Sequence, residues 1–231
     1  MTSTSSNKVA LITGASSGIG RSLAVQAAKR GYNIGVIARN KEALETLKTE
    51  ITSGYNIDFY YHQGDVSKEE DCQSFIDGCV SHFGRIDFLI NNAGISMRGI
   101  FSDTDLNVIK QLMDVNFWGS VYCTKFALPE LLKTQGSVVG VSSIAGFKGL
   151  PARTGYSASK FAMQGFLESL RNENLKTGLH VLIACPGYTE SNIRKTALNA
   201  NGQAQGETPL NEAKLMSADD VAESIWNATL K

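Results

Sequence analysis

Three side chains in the second half of the sequence could together transfer a proton to a bound substrate. Tyr156 and Lys160 stand four residues apart, so on a helix they lie on the same face. An ammonium group beside a phenol favours the phenolate and lowers the tyrosine pKa from its usual value of about 10. Ser143 follows a short apolar run, residues 137–141, and its hydroxyl can hold the substrate oxygen. A tyrosine and a lysine at this spacing are otherwise an ordinary surface pair, so the assignment depends on the rest of the chain.

A glycine-rich turn near the start of the chain predicts a nucleotide site. Residues 13–20 read TGASSGIG, and they follow an apolar run and precede a segment of helical periodicity. Gly14 permits a tight turn, Gly18 lets the backbone approach a pyrophosphate, and Gly20 allows the helix to pack closely on the strand. The free amides at the start of that helix, with the positive end of its dipole, would face the phosphates.

Apolar runs and helical segments alternate along the whole chain. The predicted strands are residues 8–13, 33–38, 57–61, 86–91, 137–142 and 180–184. The predicted helices are residues 21–29, 41–52, 68–83, 105–133 and 154–177, with a last helix at about 218–230. This alternation predicts an α/β fold: a single-domain Rossmann fold over residues 1–231, with a doubly wound parallel sheet and helices on both faces.

The end of the second predicted strand indicates which dinucleotide binds. Proteins that choose NAD place an acidic residue there for the ribose 2′-hydroxyl, whereas this chain has Ala38 followed by Arg39. An arginine can hold a 2′-phosphate through two charge-assisted hydrogen bonds, and Ser16 can add a hydroxyl. The pattern therefore favours NADP(H); the alternative is that Arg39 is only an exposed residue at the start of the next helix.

Composition argues against several other classes of protein. Lysine plus arginine and aspartate plus glutamate number 22 each, so there is no net charge to attract nucleic acid or an anionic membrane. Cys72, Cys79, Cys123 and Cys185 have no metal-ligand spacing, which predicts no metal site and suits the reduced thiols of a cytoplasmic protein. No apolar run approaches the roughly 20 residues of a membrane span, and the first residues lack signal-peptide features.

The glycine-rich turn, an NNAG stretch at residues 91–94, the Ser-Tyr-Lys triad and a Pro-Gly turn occur in an order that resembles the classical short-chain dehydrogenase/reductase family. The resemblance covers about residues 8–226. It implies an NADP(H)-dependent oxidoreductase that interconverts a ketone and a secondary alcohol. In that family the residue matching Ser143 orients the carbonyl, that matching Tyr156 exchanges the proton, and that matching Lys160 lowers the tyrosine pKa and holds the nicotinamide ribose. The residue matching Asn116 binds a water that connects the lysine to solvent.

The resemblance also implies a set of coenzyme contacts. Asp65 and Val66 match the family's adenine contact, although Asp65 could instead cap a helix. The NNAG stretch borders the coenzyme ribose in the family, and the residues after the Pro-Gly turn hold the carboxamide. The residues expected to bind the coenzyme are Gly14, Ser16, Ser17, Gly18, Ile19, Gly20, Arg39, Asp65, Val66, Asn92, Ala93, Gly94, Tyr156, Lys160, Pro186, Gly187, Thr189 and Ser191.

Regular patterning fades in about residues 188–216, where the family places its substrate-binding loop. We expect most of this loop, residues 190–216, to be mobile until a substrate binds. The family has one more strand after the last helix, whereas this sequence stops at Lys231. Either a tail that carries the strand is missing, or the sheet has six strands with an exposed edge. Family members form homodimers or homotetramers through the helices that hold Asn116 and Tyr156, and the resemblance implies the same here.

The substrate cannot be read from the sequence. Residues 156–171, YSASKFAMQGFLESLR, resemble the branch of the family that includes steroid and retinoid-type dehydrogenases. A 3-oxoacyl thioester reductase is an alternative. A non-enzymatic NADP-sensing module is a second alternative, although it should have lost the tyrosine or the lysine. The three residues between the first two glycines of the turn argue against an epimerase or dehydratase of the extended branch, as does the short C-terminal part.

Overall fold

The computed structural model describes residues 7–206 and 215–231. Its strands are β1 (Val9–Thr13), β2 (Asn33–Ala38), β3 (Phe59–Gln63), β4 (Phe88–Asn91), β5 (Ser137–Val141) and β6 (His180–Ala184). All pair in parallel in the order β3-β2-β1-β4-β5-β6. The predicted doubly wound parallel sheet is confirmed.

Helices cover both faces of this sheet. They are α1 (Gly18–Lys29), α2 (Lys41–Gly54), α3 (Glu69–Phe83), α4 (Leu106–Met113), α5 (Gly119–Thr134), α6 (Thr154–Glu173) and α7 (Ala218–Thr229). Apolar residues of α1, α2 and α7 pack on one face, and those of α3, α5 and α6 pack on the other. Because both faces are covered, β1 is buried throughout, which is why its sequence is continuously apolar rather than alternating.

The prediction of one continuous helix over residues 105–133 is wrong. The structure divides it into α4 and α5, joined by a π-helical turn, Asp114–Trp118. Asn116 lies at the centre of this turn, and its side-chain amide bonds to the backbone of Ile95 in another segment. Asparagine is a weak helix former, and single π turns inside helices occur frequently at functional sites.

The sheet order creates a crevice between β1 and β4. The chain runs outward from β1 to β3 on one side, then returns to β4 and runs outward to β6 on the other. Connections leave the carboxyl ends of β1 and β4 in opposite directions, and open α/β sheets bind ligands at such a switch point. The turn at residues 13–20 and the NNAG stretch both lie at this crevice.

The loop after β6 is more organised than the sequence suggested. Thr189 pairs with Met216, Leu198 pairs with Met97, and Asn192–Arg194 forms a short 3-10 helix. Residues 207–214 of the predicted loop lie outside the described residues. No strand follows α7 within the part of the chain that the structure describes. None of the helices in the described ranges is both long and apolar enough to cross a membrane.

Candidate active site

A cavity of about 860 Å³ runs along the carboxyl ends of the strands. It extends from Arg39, beyond β2, across the glycine-rich turn to Tyr156 on α6. All the residues expected to bind the coenzyme line it, and so does Ser143. Asn116 is the exception, because it is fully buried behind the cavity wall.

The glycines of the turn are required by both backbone conformation and space. Gly14 and Gly18 have φ angles of +70° and +53°, which side chains of L-residues rarely adopt. A Cβ atom on Gly14 would lie 2.8 Å from the Cα of Ala93. A Cβ on Gly20 would overlap the carbonyl of Gly14 and the side-chain amide of Asn92. The backbone therefore forms the floor of the cavity here, with no side chain filling it.

The start of α1 leaves its first amide groups available. Ser17 is the N-cap residue, its side chain makes no capping hydrogen bond, and the first turn contains no acidic residue. Ser17 is exposed and lines the cavity, so the positive end of the helix dipole meets the cavity there. This arrangement can accept a phosphate group.

Thr13 is a positioning residue that sequence reasoning missed. Its hydroxyl oxygen accepts hydrogen bonds from the backbone amides of Asn92 (3.0 Å) and Ala93 (2.9 Å). The side-chain amide of Asn92 donates in return to the Thr13 carbonyl at 2.9 Å. These bonds fix the ends of β1 and β4 to each other, and a hydroxyl at the last residue of the first strand was the only signal.

Arg39 and Asp65, both expected to contact the adenosine part of the coenzyme, lie in different environments. Arg39 is exposed, whereas Ala38 before it is buried at 8% exposure. One carboxylate oxygen of Asp65 accepts from the amide (3.0 Å) and the hydroxyl (2.9 Å) of Ser67. Asp65 therefore organises the turn before α3 and also lines the cavity.

Ser143 and Tyr156 meet at the other end. Their side chains are hydrogen-bonded, and the Ser143 oxygen also accepts from the amide of Ala145 at 3.2 Å. Ser142 also lines the cavity, but it is buried and its oxygen already accepts from the side chain of Gln164 at 3.0 Å. The structure thus distinguishes between two adjacent serines and brings Ser143 to the tyrosine.

The pKa of Tyr156 differs from the sequence expectation. Burial raises the tyrosine pKa, and the hydrogen bond with Ser143 and the positive charge of Arg153 oppose that rise without cancelling it. Lys160 was expected to lower it, but its ammonium group donates to the carbonyl of Val141 at 2.9 Å. In the protein without coenzyme, Tyr156 is therefore neutral at pH 7 and carries the proton of a general acid.

Lys160 is nearly completely buried, at 3% exposure, and burial lowers its pKa to about 8. A Cβ atom on Gly94 would lie 3.4 Å from its nitrogen and 3.2 Å from the Asn116 oxygen. Gly94 therefore lets the chain pass beside both polar groups. The low lysine pKa allows this side chain to gain or lose a proton close to neutral pH.

Asn116 acts on the site from behind. Its oxygen accepts from the amide of Ile95 at 2.8 Å, and its nitrogen donates to the Ile95 carbonyl (3.0 Å) and the Ser159 hydroxyl (2.9 Å). Its side chain thus ties the π-helical turn to the loop after β4 and to α6. These bonds make Asn116 a positioning residue for the helix that carries Tyr156 and Lys160.

The loop after β6 closes against the glycine-rich turn. A Cβ atom on Gly18 would lie 3.1 Å from that of Ser191. Thr189 is buried and its hydroxyl donates to the Gly187 carbonyl at 3.1 Å, while Arg194 donates to the carbonyl of Thr189 at 2.5 Å. The predicted carboxamide-binding residues thus lie next to the predicted phosphate-binding turn.

Two arginines at the catalytic end were also missed. Arg153 donates to the hydroxyl of Ser96 at 2.6 Å, and both line the cavity with Arg98. Burial and the neighbouring charge of Arg98 lower the pKa of Arg153. The basic residue three positions before Tyr156 was a weak signal, because nothing in the sequence shows that it faces the same cavity.

Comparisons with known proteins identify the family to which the chain is similar. A sequence profile of the short chain dehydrogenases matches residues 8–202. The chain is 41% identical over 231 residues to 11-beta-hydroxysteroid dehydrogenase A from Arachis hypogaea, covering 97% of this chain and 66% of that protein. It is 43% identical over 187 residues to 11-beta-hydroxysteroid dehydrogenase-like 2 from Arabidopsis thaliana, covering 80% of this chain and 60% of that protein.

A solved structure is also similar. It is an alcohol dehydrogenase from the archaeon Thermococcus sibiricus complexed with 5-hydroxy-NADP; the TM-score is 0.87 at 25% identity, with 97% of this chain and 91% of that chain covered. Against the two plant relatives, this chain spans less than two thirds of their length. The profile match covers most of the chain and includes the glycine-rich turn and the Ser-Tyr-Lys triad. The chain therefore belongs to the classical short-chain dehydrogenase/reductase family.

Proposed function

We propose that this protein is an NADP(H)-dependent oxidoreductase that interconverts a ketone and a secondary alcohol. The observation that carries the proposal is the single continuous cavity that joins the glycine-rich turn to Ser143, Tyr156 and Lys160. A nucleotide site and an acid–base group that share one cavity are what such a reaction requires.

The coenzyme end fits a dinucleotide. Positive φ angles at Gly14 and Gly18, and the space at Gly20 that a Cβ would fill, leave a floor of bare backbone beneath the uncapped start of α1. The pyrophosphate would lie on this floor, with Asp65 and Val66 toward the adenine and the loop after Pro186 toward the nicotinamide. When bound, the dinucleotide supplies or takes up the hydride.

The protein's own residues handle the proton and the substrate oxygen. Tyr156 donates its proton to the carbonyl oxygen, and the Ser143 hydroxyl holds that oxygen in place. Lys160 lies four residues after Tyr156 on α6, and its pKa of about 8 makes it a nearby proton source for the tyrosine. Since burial raises the Tyr156 pKa, the tyrosine is protonated at neutral pH, which favours ketone reduction.

The preference for NADP(H) rests on Ala38 and Arg39. Ala38 carries no charge at the end of β2, and the exposed Arg39 lines the cavity directly after it. A 2′-phosphate would meet no carboxylate at this position and a guanidinium group beside it. The 5-hydroxy-NADP complex of the Thermococcus sibiricus enzyme supports this choice by analogy.

Assembly and location are further parts of the proposal. Trp118, in the π-helical turn, and Phe161, on α6, are exposed apolar side chains on the helices expected to pair. Burying them would favour a homodimer or homotetramer. The four cysteines are free thiols in the structure, which suits a reducing cytoplasm.

The decisive assay follows NADPH absorbance with a panel of neutral ketones, diketones, steroid ketones, keto acids and 3-oxoacyl thioesters. Turnover of any member that requires NADPH would support the proposal, and turnover of 3-oxoacyl thioesters only would favour the thioester reductase. Tight NADPH binding without turnover of any carbonyl compound would overturn the proposal in favour of the sensing module.

A further inference from the structure

The charges lining the cavity are unevenly distributed. Among the described residues, its basic members are Arg39, Arg98, Arg153, Lys160 and Arg194. Its one acidic member within those residues is Asp65, at the adenine end. Arg39 is assigned to the coenzyme and Lys160 to the tyrosine, and Arg194 bonds to the loop backbone. Arg98 and Arg153 remain at the catalytic end without an assigned role.

Arg153 is held close to the reacting groups. It is half-buried, and its guanidinium donates to the Ser96 hydroxyl at 2.6 Å. The hydroxyls of Tyr156 and Tyr188 are near enough to affect its pKa. Ala152, the preceding residue, has a φ of +58°, a conformation that favours glycine, and its carbonyl accepts from the Gly99 amide at 3.0 Å. The backbone that presents Arg153 is therefore fixed by the loop that carries Arg98.

Arg98 has the same kind of support. Its amide donates to the Leu198 carbonyl at 2.7 Å, and its carbonyl accepts from the Gln205 side chain at 2.7 Å. None of the ion pairs between described residues includes Arg98 or Arg153. Two neighbouring guanidinium groups repel each other, and partial burial increases the repulsion. An anion between them would remove this cost.

We propose that Arg98 and Arg153 bind a carboxylate of the substrate, so that the preferred substrates are short keto acids rather than neutral ketones. This rests on the proposed carbonyl reduction at Tyr156. Arg153 stands three residues before Tyr156, at the start of α6. Both side chains line the cavity, and the Arg153 charge is close enough to affect the pKa of Tyr156, so a bound carboxylate lies within a few carbon atoms of the carbonyl. Guanidinium groups suit carboxylates because they donate two parallel hydrogen bonds.

Matched pairs of keto acids and their methyl esters test this proposal, because the two differ only in charge. We expect kcat/KM with NADPH to be about 10 to 150-fold higher for each acid than for its ester, the range for a hydrogen bond to a charged group. Arg98→Gln should reduce this preference by about threefold or more, and Arg98→Gln combined with Arg153→Gln should abolish it. In both variants turnover of the acids should fall more than turnover of the esters, since the esters carry no charge for the guanidinium groups to hold.

Two controls distinguish a loss of carboxylate binding from a general loss of charge or of stability. Lys176→Gln removes an exposed positive charge distant from the cavity lining and should leave the acid preference intact. Arg153→Gln also removes the bond to Ser96, so its melting temperature is measured and Arg98→Gln serves as the independent variant. Equal kcat/KM for acids and esters in the wild type would overturn the inference and leave ketone reduction standing. Turnover of coenzyme A thioesters alone, with neither the keto acids nor their methyl esters reduced, would also overturn the inference. If no carbonyl compound, charged or neutral, is reduced, the proposed function fails, and this inference fails with it.

Discussion

The two ends of the cavity differ in whether backbone groups or side chains offer most of the contacts. Where the coenzyme phosphates would lie between the two nucleosides, the contacts are offered by backbone: Gly14 and Gly18 have positive φ angles, and the Ser17 side chain leaves the amides at the start of α1 uncapped. At the substrate end they are offered by the side chains of Arg98 and Arg153, carried on loops. A backbone site demands glycine at fixed spacing and so leaves a signature in the sequence. A side-chain site on loops can be assembled from residues of almost any spacing, so it leaves none.

Among these variants Tyr156→Phe should have the largest effect on kcat, because it removes the proposed general acid. We expect kcat to fall by at least about 10² to 10⁴-fold, the usual contribution of general acid–base catalysis. Coenzyme affinity should change little, since the ring keeps its packing. Steady-state kinetics and an NADPH fluorescence titration measure the two quantities. Near-normal turnover would remove Tyr156 from its proposed role.

The coenzyme end can be altered without touching the catalytic end. Arg39 should favour NADPH over NADH by about 10 to 150-fold in dissociation constant, and added salt should reduce this preference because Arg39 is exposed. Ala38→Asp combined with Arg39→Leu should reverse it. Titration of both reduced coenzymes against wild type and the double variant is the measurement. Equal affinities in the wild type would mean that Arg39 points to solvent.

Lys160 provides a test of burial at the catalytic end. The lowering of its pKa from 10.5 to about 8 costs about 3 kcal/mol of folding free energy at pH 7, and the bond to the Val141 carbonyl recovers about 1 to 2 kcal/mol. Lys160→Met should therefore stabilise the coenzyme-free protein by about 1 to 2 kcal/mol at pH 7, while turnover is lost.

The sign of the pH dependence follows from linkage. Below about pH 8 the lysine is charged in both states and the cost is fully present; between about pH 8 and 10.5 only the unfolded state stays protonated, so wild-type stability rises. The advantage of Lys160→Met should disappear over that interval. Urea unfolding at pH 7 and pH 10.5 measures it, with Lys176→Met as an exposed control. A destabilisation of equal size at both pH values would contradict the predicted cost of burial.

The smallest effect is expected in the loop after β6. The amides of Leu198 and Gln205 donate to the carbonyls of Ser96 (2.8 Å) and Ala197 (3.0 Å). These bonds belong to a segment whose side chains are mostly polar and at least partly exposed, apart from the buried Arg194 and Ala197. The two amides should exchange hydrogen faster than the amides of β1 and slow by about tenfold when coenzyme alone is present at ten times its dissociation constant. Protection equal to that of β1 in the free protein would contradict the expectation of mobility.

The features that could be predicted from the sequence are those that restrict residue type through the backbone, and those that could not be predicted depend on side-chain contacts in the fold. The strands could be predicted because burial on both faces requires apolar residues. The glycine-rich turn could be predicted because positive φ angles require glycine. The π-helical turn at Asn116 could not be predicted, because its cause is a contact with Ile95, 21 residues away. The raised pKa of Tyr156 could not be predicted from the sequence either, since it depends on the burial of that side chain in the folded protein. The arginine pair is found only once the fold brings two loops together.

The central claim is that one cavity holds the coenzyme and the carbonyl side by side. The most direct test is a single turnover with NADPH carrying deuterium at C4 on one face or the other, followed by mass spectrometry of the alcohol. We predict that one of the two labelled coenzymes delivers deuterium to the carbinol carbon, that the other does not, and that Tyr156→Phe slows both reactions. Alcohol formed without deuterium from either coenzyme, or no alcohol from any ketone, would contradict the account.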